Sequence, residues 1–582
     1  MIHEICGLDN SDRTESDCAR EPNPKGPTRR QFLGQVSGGV AATLAVGALA
    51  APPVAAAQSA TNMTVPASAA HSRVAKALAL RIREANQDSN VRAARNVNNG
   101  DDALYADKGG TYTKGLPHDT FGRVDPAAYA SFKGALKSGE FSDFQNIIVG
   151  GTRTQNGPQG GLAFDLEGLD SVQCGQPQVP PAPTAGGDVT ATELLEHYWG
   201  ALLRDVAFTD YGSNPLASQA AAELSAIPSY LGPRASSGLV TTDLLFRGGF
   251  PGESLGPYLS QFFVTPAMMG AQPLSQQMVT YLPNIDYMTS FNDWLTVQNG
   301  NVTGLKNQVD PQPRYLHDGR GLSAFTHVDV LYQAYFTALV VLGNIRAPLN
   351  PGNPYIGSRT QNGFGTFGDP DVAGTLAEVA TRALNAVWYQ KWFVHLRPRP
   401  EAIGGQVHLI KTGQADKTSV KPSPVVLNSV GLQQSFNKYG TWLLSQAFPE
   451  GSPTHPSYPT GHGTVGGACI TVLKFFFDGS FVIPDPVVPT SDGLALQPYT
   501  GSDAGQLTVN GELNKLGHNV SFGHGIHAGI HWRSDTDTSL LLGEAVALSI
   551  LKDRALTYNE PFTIHLTKFD GTIATISNQG HS

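Results

Sequence analysis

Cysteine is scarce in this chain, with four in 582 residues. Cys6 and Cys18 precede a presumed cleavage site, which leaves Cys174 and Cys469 and so at most one bridge in the mature protein. Cys469 lies on an apolar helical stripe and reads equally well as a buried free thiol. The cysteine spacing supplies no zinc motif. Charge is sparse too: 15% of residues are charged and the net charge is -9. Nucleic acid or an anionic membrane as main partner is therefore excluded, because both require dense Lys and Arg, and any anion site must be local. No internal repeat and no second composition regime appears, which excludes a solenoid and argues for one catalytic domain. Glycine and proline are abundant, at 64 and 40, and 40% of the chain is hydrophobic. A large core threaded by long ordered loops is expected.

Residues 1–57 read as an export address: Thr28-Arg29-Arg30-Gln31-Phe32-Leu33, then an Ala/Gly/Val run, then Ala55-Ala56-Ala57 before Gln58. This is a twin-arginine signal, so the protein is expected to work outside the cytoplasm, with residues 58–582 as a single catalytic domain. The apolar run is interrupted by glycine and ends at Pro52-Pro53, so no membrane span is expected in the mature protein.

From about Leu195 onward, helical periodicity alternates with Gly/Pro-rich loops, and the body reads as all-α. Helices are expected over 191–208, 323–345, 371–396, 431–448 and 534–551, and the stretch 117–183 reads as mostly irregular. The clear strand signal is terminal: 562–568 and 572–577 flank Asp570-Gly571 as a β-hairpin would.

Three segments carry chemistry. In the first, Asp369 is expected to cap a helix that begins with Pro370 and carries Val372, Leu376, Val379, Leu384 and Val387 on its apolar face. Lys391 falls on that face, where an ammonium is costly unless it reaches outward or an acidic ligand meets it. Arg399 follows after prolines that end the helix. In the second, His455-Pro456-Ser457-Tyr458-Pro459-Thr460-Gly461-His462 opens an apolar helix. Thr460 can cap it, Gly461 lets the backbone approach a ligand, and the exposed N–H groups favour an oxyanion. His462, in the first turn, suits general acid/base work. The third places His524, His527 and His531 ahead of an apolar helix expected to be capped by Ser534, with Asp535 and Asp537 in its first turn. A zinc site is one reading of these histidines; histidines satisfied by loop carbonyls is another.

Together these segments resemble the vanadium-dependent haloperoxidases, of the vanadium haloperoxidase and acid phosphatase superfamily. Lys391 and Arg399 match the first family motif, Pro459-Thr460-Gly461-His462 the second with Thr for Ser, and Gly529-Ile530-His531 the third. Segments beginning at Lys114, Ala163, His327 and Trp388 also look like the bacterial enzymes. The resemblance implies two helical bundles with the site at their core, and assembly as a homo-oligomer. It implies vanadate as cofactor, with phosphate able to occupy the same site. His531 would be the direct metal ligand, Lys391, Arg399, Thr460 and Gly461 would hold the oxygens, and His462 would be the acid/base. Hydrogen peroxide and a halide would be the substrates, with Lys391 polarising bound peroxide, and the hypohalous acid formed would halogenate small organic molecules. His455 stands where algal bromoperoxidases carry His and a fungal chloroperoxidase carries Phe, which implies bromide or iodide. The family's second arginine is missing. Aligned forward from Asn519 its place is taken by His524; aligned backward from His531, by Gly525, so the loop holds one extra residue. Arg533 is no clean substitute. Two other readings stand beside this one: an acid phosphatase using the same cage, with His531 as nucleophile, and an exported relative without turnover.

Overall fold

The computed structural model describes residues 67–174 and 179–579. The twin-arginine segment lies outside them. The chain divides into two units, Met1–Arg83 and Glu84–Ser582. Helices of ten residues or more are labelled in chain order. They are α1 (Ala67–Ser89), α2 (Pro126–Ser138), α3 (Asp188–Leu203), α4 (Pro215–Ser225), α5 (Gly319–Val328), α6 (Gln333–Asn344), α7 (Asp369–Tyr389), α8 (Pro400–Lys411), α9 (Val430–Tyr439), α10 (Gly461–Phe476), α11 (Val509–Phe522) and α12 (Arg533–Ala555). The all-α expectation holds, and no single helix among the described residues is long and apolar enough to cross a membrane.

The second unit is organised around α10, every residue of which is buried; it packs chiefly on α12 and α7. A helix buried all round must let its neighbours come close, and glycine does this here. A Cβ on Gly467 would lie 2.1 Å from the Leu540 carbonyl oxygen, and one on Gly543 would lie 2.0 Å from that of Thr464. Gly467→Ala therefore forces two backbones apart and is expected to cost about 1–3 kcal/mol, read as a lower urea midpoint at unchanged slope.

Several boundaries differ from the periodicity. The apolar stretch 323–345 is two helices, α5 and α6, bent by 106° at the break between them. The stretch 431–448 is helical only as far as Tyr439, because Gly440 takes the left-handed conformation, φ 69°, and closes α9. Gly368 rather than Asp369 occupies the cap of α7. Ser534 lies inside α12, whose cap is Trp532; the Asp535 carboxylate accepts the Trp532 N–H at 3.1 Å. The irregular stretch 117–183 contains α2 and a short helix, Phe141–Gln145. Besides the expected terminal hairpin there are, among the described residues, two more small ones. The three are β1 (Ala267–Met269) with β2 (Gln272–Leu274), β3 (Val487–Pro489) with β4 (Leu496–Pro498), and β5 (Thr563–Thr567) with β6 (Ile573–Ser577), all antiparallel. In the last, Thr563 pairs with Ser577 and Thr567 with Ile573. Cys174 and Cys469 are both free, buried thiols.

His518 on α11 is a buried imidazole gripped by Glu253 at 2.5 Å and Asp537 at 2.8 Å. Burial opposes its charge, but the Glu253 charge and the hydrogen bonds its ring donates to both carboxylates prevail, and its pKa is pushed up to about 9. A pKa higher in the folded than in the unfolded state stabilises fully below the unfolded value of about 6.5 and loses that contribution as pH rises through about 9. Resistance to urea is expected to fall across that window by on the order of 3 kcal/mol, and His518→Gln should flatten the dependence.

Candidate active site

Helix α7 does not stop at Tyr389 but widens into a π-helical turn, Gln390–His395, that ends where Leu396 adopts φ 48°. The turn points Lys391 inward, where it is fully buried; its ammonium donates to the carbonyls of Pro456 at 2.9 Å and Ser457 at 2.7 Å. Of the two outcomes open for Lys391, the inward one is found. Burial, and then the charge of Arg399, drives its pKa well below the ordinary lysine value. Arg399, the cap residue of α8, is also buried; it donates to the carbonyls of His455 and Ile530, both at 2.9 Å, and to His455 Nδ1 at 3.0 Å. Burial pushes its pKa down to about 10. Among the described residues neither cation forms an ion pair, although ordinary buried arginines nearby do: Arg397 binds Asp535 and Glu193, and Arg533 binds Glu196.

His531 faces these cations. Its Nδ1–H donates to Asp535 Oδ2 at 2.9 Å, which fixes the tautomer and leaves the Nε2 lone pair to accept from Arg399 Nη1 at 2.8 Å. Burial, then Arg399 and Lys391, hold its pKa well below the usual imidazole value, so the ring is neutral. Asp535 also takes the Ser457 hydroxyl and the Arg397 guanidinium, which ties the 455–460 loop, the segment between α7 and α8, and α12 to one carboxylate.

Thr460 stands at the cap of α10 but makes no capping bond with its side chain; its Oγ1 is buried with no hydrogen-bond partner among the described residues. Gly461 begins the helix against Trp388, which a Cβ would approach to 3.3 Å. His462 follows and donates Nε2–H to Asp329 at 3.0 Å. His455 packs against Trp388, ring centres 4.8 Å apart and planes tilted by 40°, and its ring centre lies 6.3 Å from that of His531. His524 comes within 4.3 Å of His462 and 5.7 Å of His531. Lys391, Arg399, His455, Thr460, Gly461, His462, His524 and His531 are thus brought together as expected from the motifs.

His527 is not part of the cluster. Its Nε2 pairs with the Tyr258 hydroxyl at 2.8 Å and its ring packs among Phe208, Phe246 and Tyr258. Among the described residues no three His, Cys, Asp or Glu side chains are placed to share a metal ion, so the histidines form no zinc centre. Sequence reasoning missed Asp329, which orients His462, and Asp535 as the anchor of His531. Asp329 lies within a segment noted only for its overall likeness; Asp535 was read only as a first-turn acid.

Two unpaired buried cations, a helix N-terminus, an unpartnered hydroxyl and a neutral imidazole with its lone pair turned inward suit a tetrahedral oxyanion with a metal centre. Comparison with known proteins points the same way. The chain is 35% identical over 510 residues to a vanadium-dependent bromoperoxidase of Ascophyllum nodosum, covering 83% of this chain and 88% of that one. It is 34% identical to a bromoperoxidase of the same description from Corallina officinalis, covering 79% of this chain and 90% of the other. The solved structure of the second vanadate-dependent bromoperoxidase of Ascophyllum nodosum, a homohexamer, superposes with a TM-score of 0.83 at 28% identity, covering 92% of this chain and 95% of that one. No protein-family model matches the chain.

Proposed function

The chain belongs to the vanadium-dependent bromoperoxidases, and on that premise we propose that it oxidises bromide or iodide with hydrogen peroxide, using vanadate held in the cage around His531. The single observation that carries this reading is the neutral His531, locked at Nδ1 by Asp535, with its Nε2 lone pair facing two cations that have no carboxylate of their own.

His531 Nε2 would bind the metal, once Arg399 exchanges that nitrogen for an oxygen. Lys391, Arg399, the Thr460 hydroxyl and the Gly461 N–H would hold the oxygens. When bound, vanadate supplies a Lewis acid that activates hydrogen peroxide without changing its own oxidation state. Lys391 adds positive charge where negative charge develops on oxygen. The net reaction passes one peroxide oxygen to the halide, giving hypohalous acid; the other leaves as water with one proton consumed. His462, oriented by Asp329, would carry that proton. His455, beside Arg399 and Trp388, lies where halide charge would be met. Small organic molecules would be halogenated by the hypohalous acid.

Phosphate fits the same cage, but the relatives favour the peroxidase over ester hydrolysis or a protein without turnover. A homo-oligomer is proposed from the hexameric relative. Export by the twin-arginine route is proposed from the N-terminal segment.

The test is bromination of monochlorodimedone by chelator-stripped protein, with peroxide and bromide, before and after orthovanadate. Activity restored by vanadate is expected. Silence there, with hydrolysis of p-nitrophenyl phosphate that vanadate inhibits, would transfer the assignment to phosphate-ester hydrolysis.

A further inference from the structure

The loop between α11 and α12 does not run as an ordinary turn. Gly523–His527 is π-helical: the Ala528 N–H bonds to the Gly523 carbonyl at 3.1 Å, and the Ile530 N–H to the Gly525 carbonyl at 3.0 Å. An i to i+5 turn holds one residue more than an α-turn would, so the extra residue is absorbed here rather than looped out. The turn is closely packed. A Cβ on Gly523 would meet the Leu322 carbonyl at 2.9 Å, and one on Gly525 the His531 carbonyl at 3.1 Å.

Its effect is to send its two histidines in opposite directions. His527 goes to the Tyr258 hydroxyl, and His524 goes into the cage. His524 is only 8% exposed, and its Nδ1 is buried with no hydrogen-bond partner among the described residues. Of the neighbouring imidazoles, His531 has both ring nitrogens engaged, by Asp535 and Arg399, and His462 has its Nε2 on Asp329; neither bonds His524. No arginine is available at this position, since Arg533 is spent on Glu196 and the Arg247 carbonyl.

A buried polar atom beside an anion cage, lacking a protein partner, implies a partner from the ligand. We propose that His524 is a direct hydrogen-bond donor to the oxyanion in the cage, and that the π turn serves to aim it there. This rests on the reading of the site as an oxyanion cage, and supplies the donor that the missing arginine would have given.

The test is titration calorimetry of orthovanadate into the full chain, for wild type, His524→Ala and His524→Gln, with melting temperatures taken without anion. His524→Ala is expected to weaken binding by about 10- to 100-fold, the range for a hydrogen bond to a charged group. His524→Gln, whose amide donates without charge, should stay within about threefold of wild type. If the alanine variant melts far below wild type, His524→Phe, which fills the volume without a donor, replaces it in the comparison. Unchanged affinity in the donor-free variant overturns the proposal and leaves the cage standing, as does a glutamine variant as weak as the donor-free one. A wild-type protein that binds no vanadate overturns both.

Discussion

Lys391→Met is expected to raise the melting temperature of the anion-free protein while removing about 10²- to 10³-fold of its vanadate-dependent bromination rate. The two effects share one cause. The Lys391 ammonium is fully buried, holds only two carbonyls and has Arg399 as its neighbouring charge, so the folded chain carries a desolvated cation with no counter-ion. Replacing a buried charge by an apolar side chain of similar volume is neutral to stabilising by about 1–4 kcal/mol. The same cation is worth most when negative charge gathers on a bound oxygen, and losing one such donor costs the rate given above. Orthovanadate should restore the balance in wild type: at one hundred times its dissociation constant it adds about 2.7 kcal/mol to stability. Calorimetric melting with and without orthovanadate, beside the vanadate-dependent bromination rate, reads both effects. A Lys391→Met protein that melts several degrees below wild type without anion, or that keeps the full wild-type response, would show that Lys391 is an ordinary structural lysine.

Asp535→Ala is expected to destabilise the fold by about 3–5 kcal/mol, the largest loss foreseen for any single polar residue here. The carboxylate is completely buried and accepts from Arg397, the His531 ring, the Ser457 hydroxyl and the Trp532 N–H. Its removal leaves the Arg397 guanidinium with Glu193 as its one remaining carboxylate, uncaps α12, and frees His531 to turn. Ser457→Ala removes one of these bonds and should cost about 1 kcal/mol. Urea unfolding of the two variants compares them directly; equal, small losses would mean that Asp535 is not the node joining the segment between α7 and α8, α12 and the 455–460 loop.

Much of the site was legible because its chemistry lies in short motifs. Lys391 on an apolar face, Thr460-Gly461-His462 at a helix entry and His531 before α12 each announce a local geometry, and local geometry survives folding. What could not be read is what joins them. Asp329 reaches His462 across 133 positions, and Arg397 reaches Glu193 across 204; no spacing rule connects residues so distant. The extra residue before His531 could be counted in the sequence, but its accommodation as a π turn could not, because an α-turn and a π-turn use the same residues. The expected helix over 323–345 failed for a related reason. Periodicity reports which face is apolar and is blind to a sharp bend between α5 and α6, each buried on its own side.

The most direct test of the cage is a crystal structure of the protein soaked in orthovanadate, with vanadium located by its anomalous scattering. The account predicts one vanadium per chain bonded to His531 Nε2, with the Arg399 guanidinium moved from that nitrogen onto an oxygen. Vanadium bound elsewhere, or density at the cage with Arg399 still hydrogen-bonded to His531 Nε2, would contradict it.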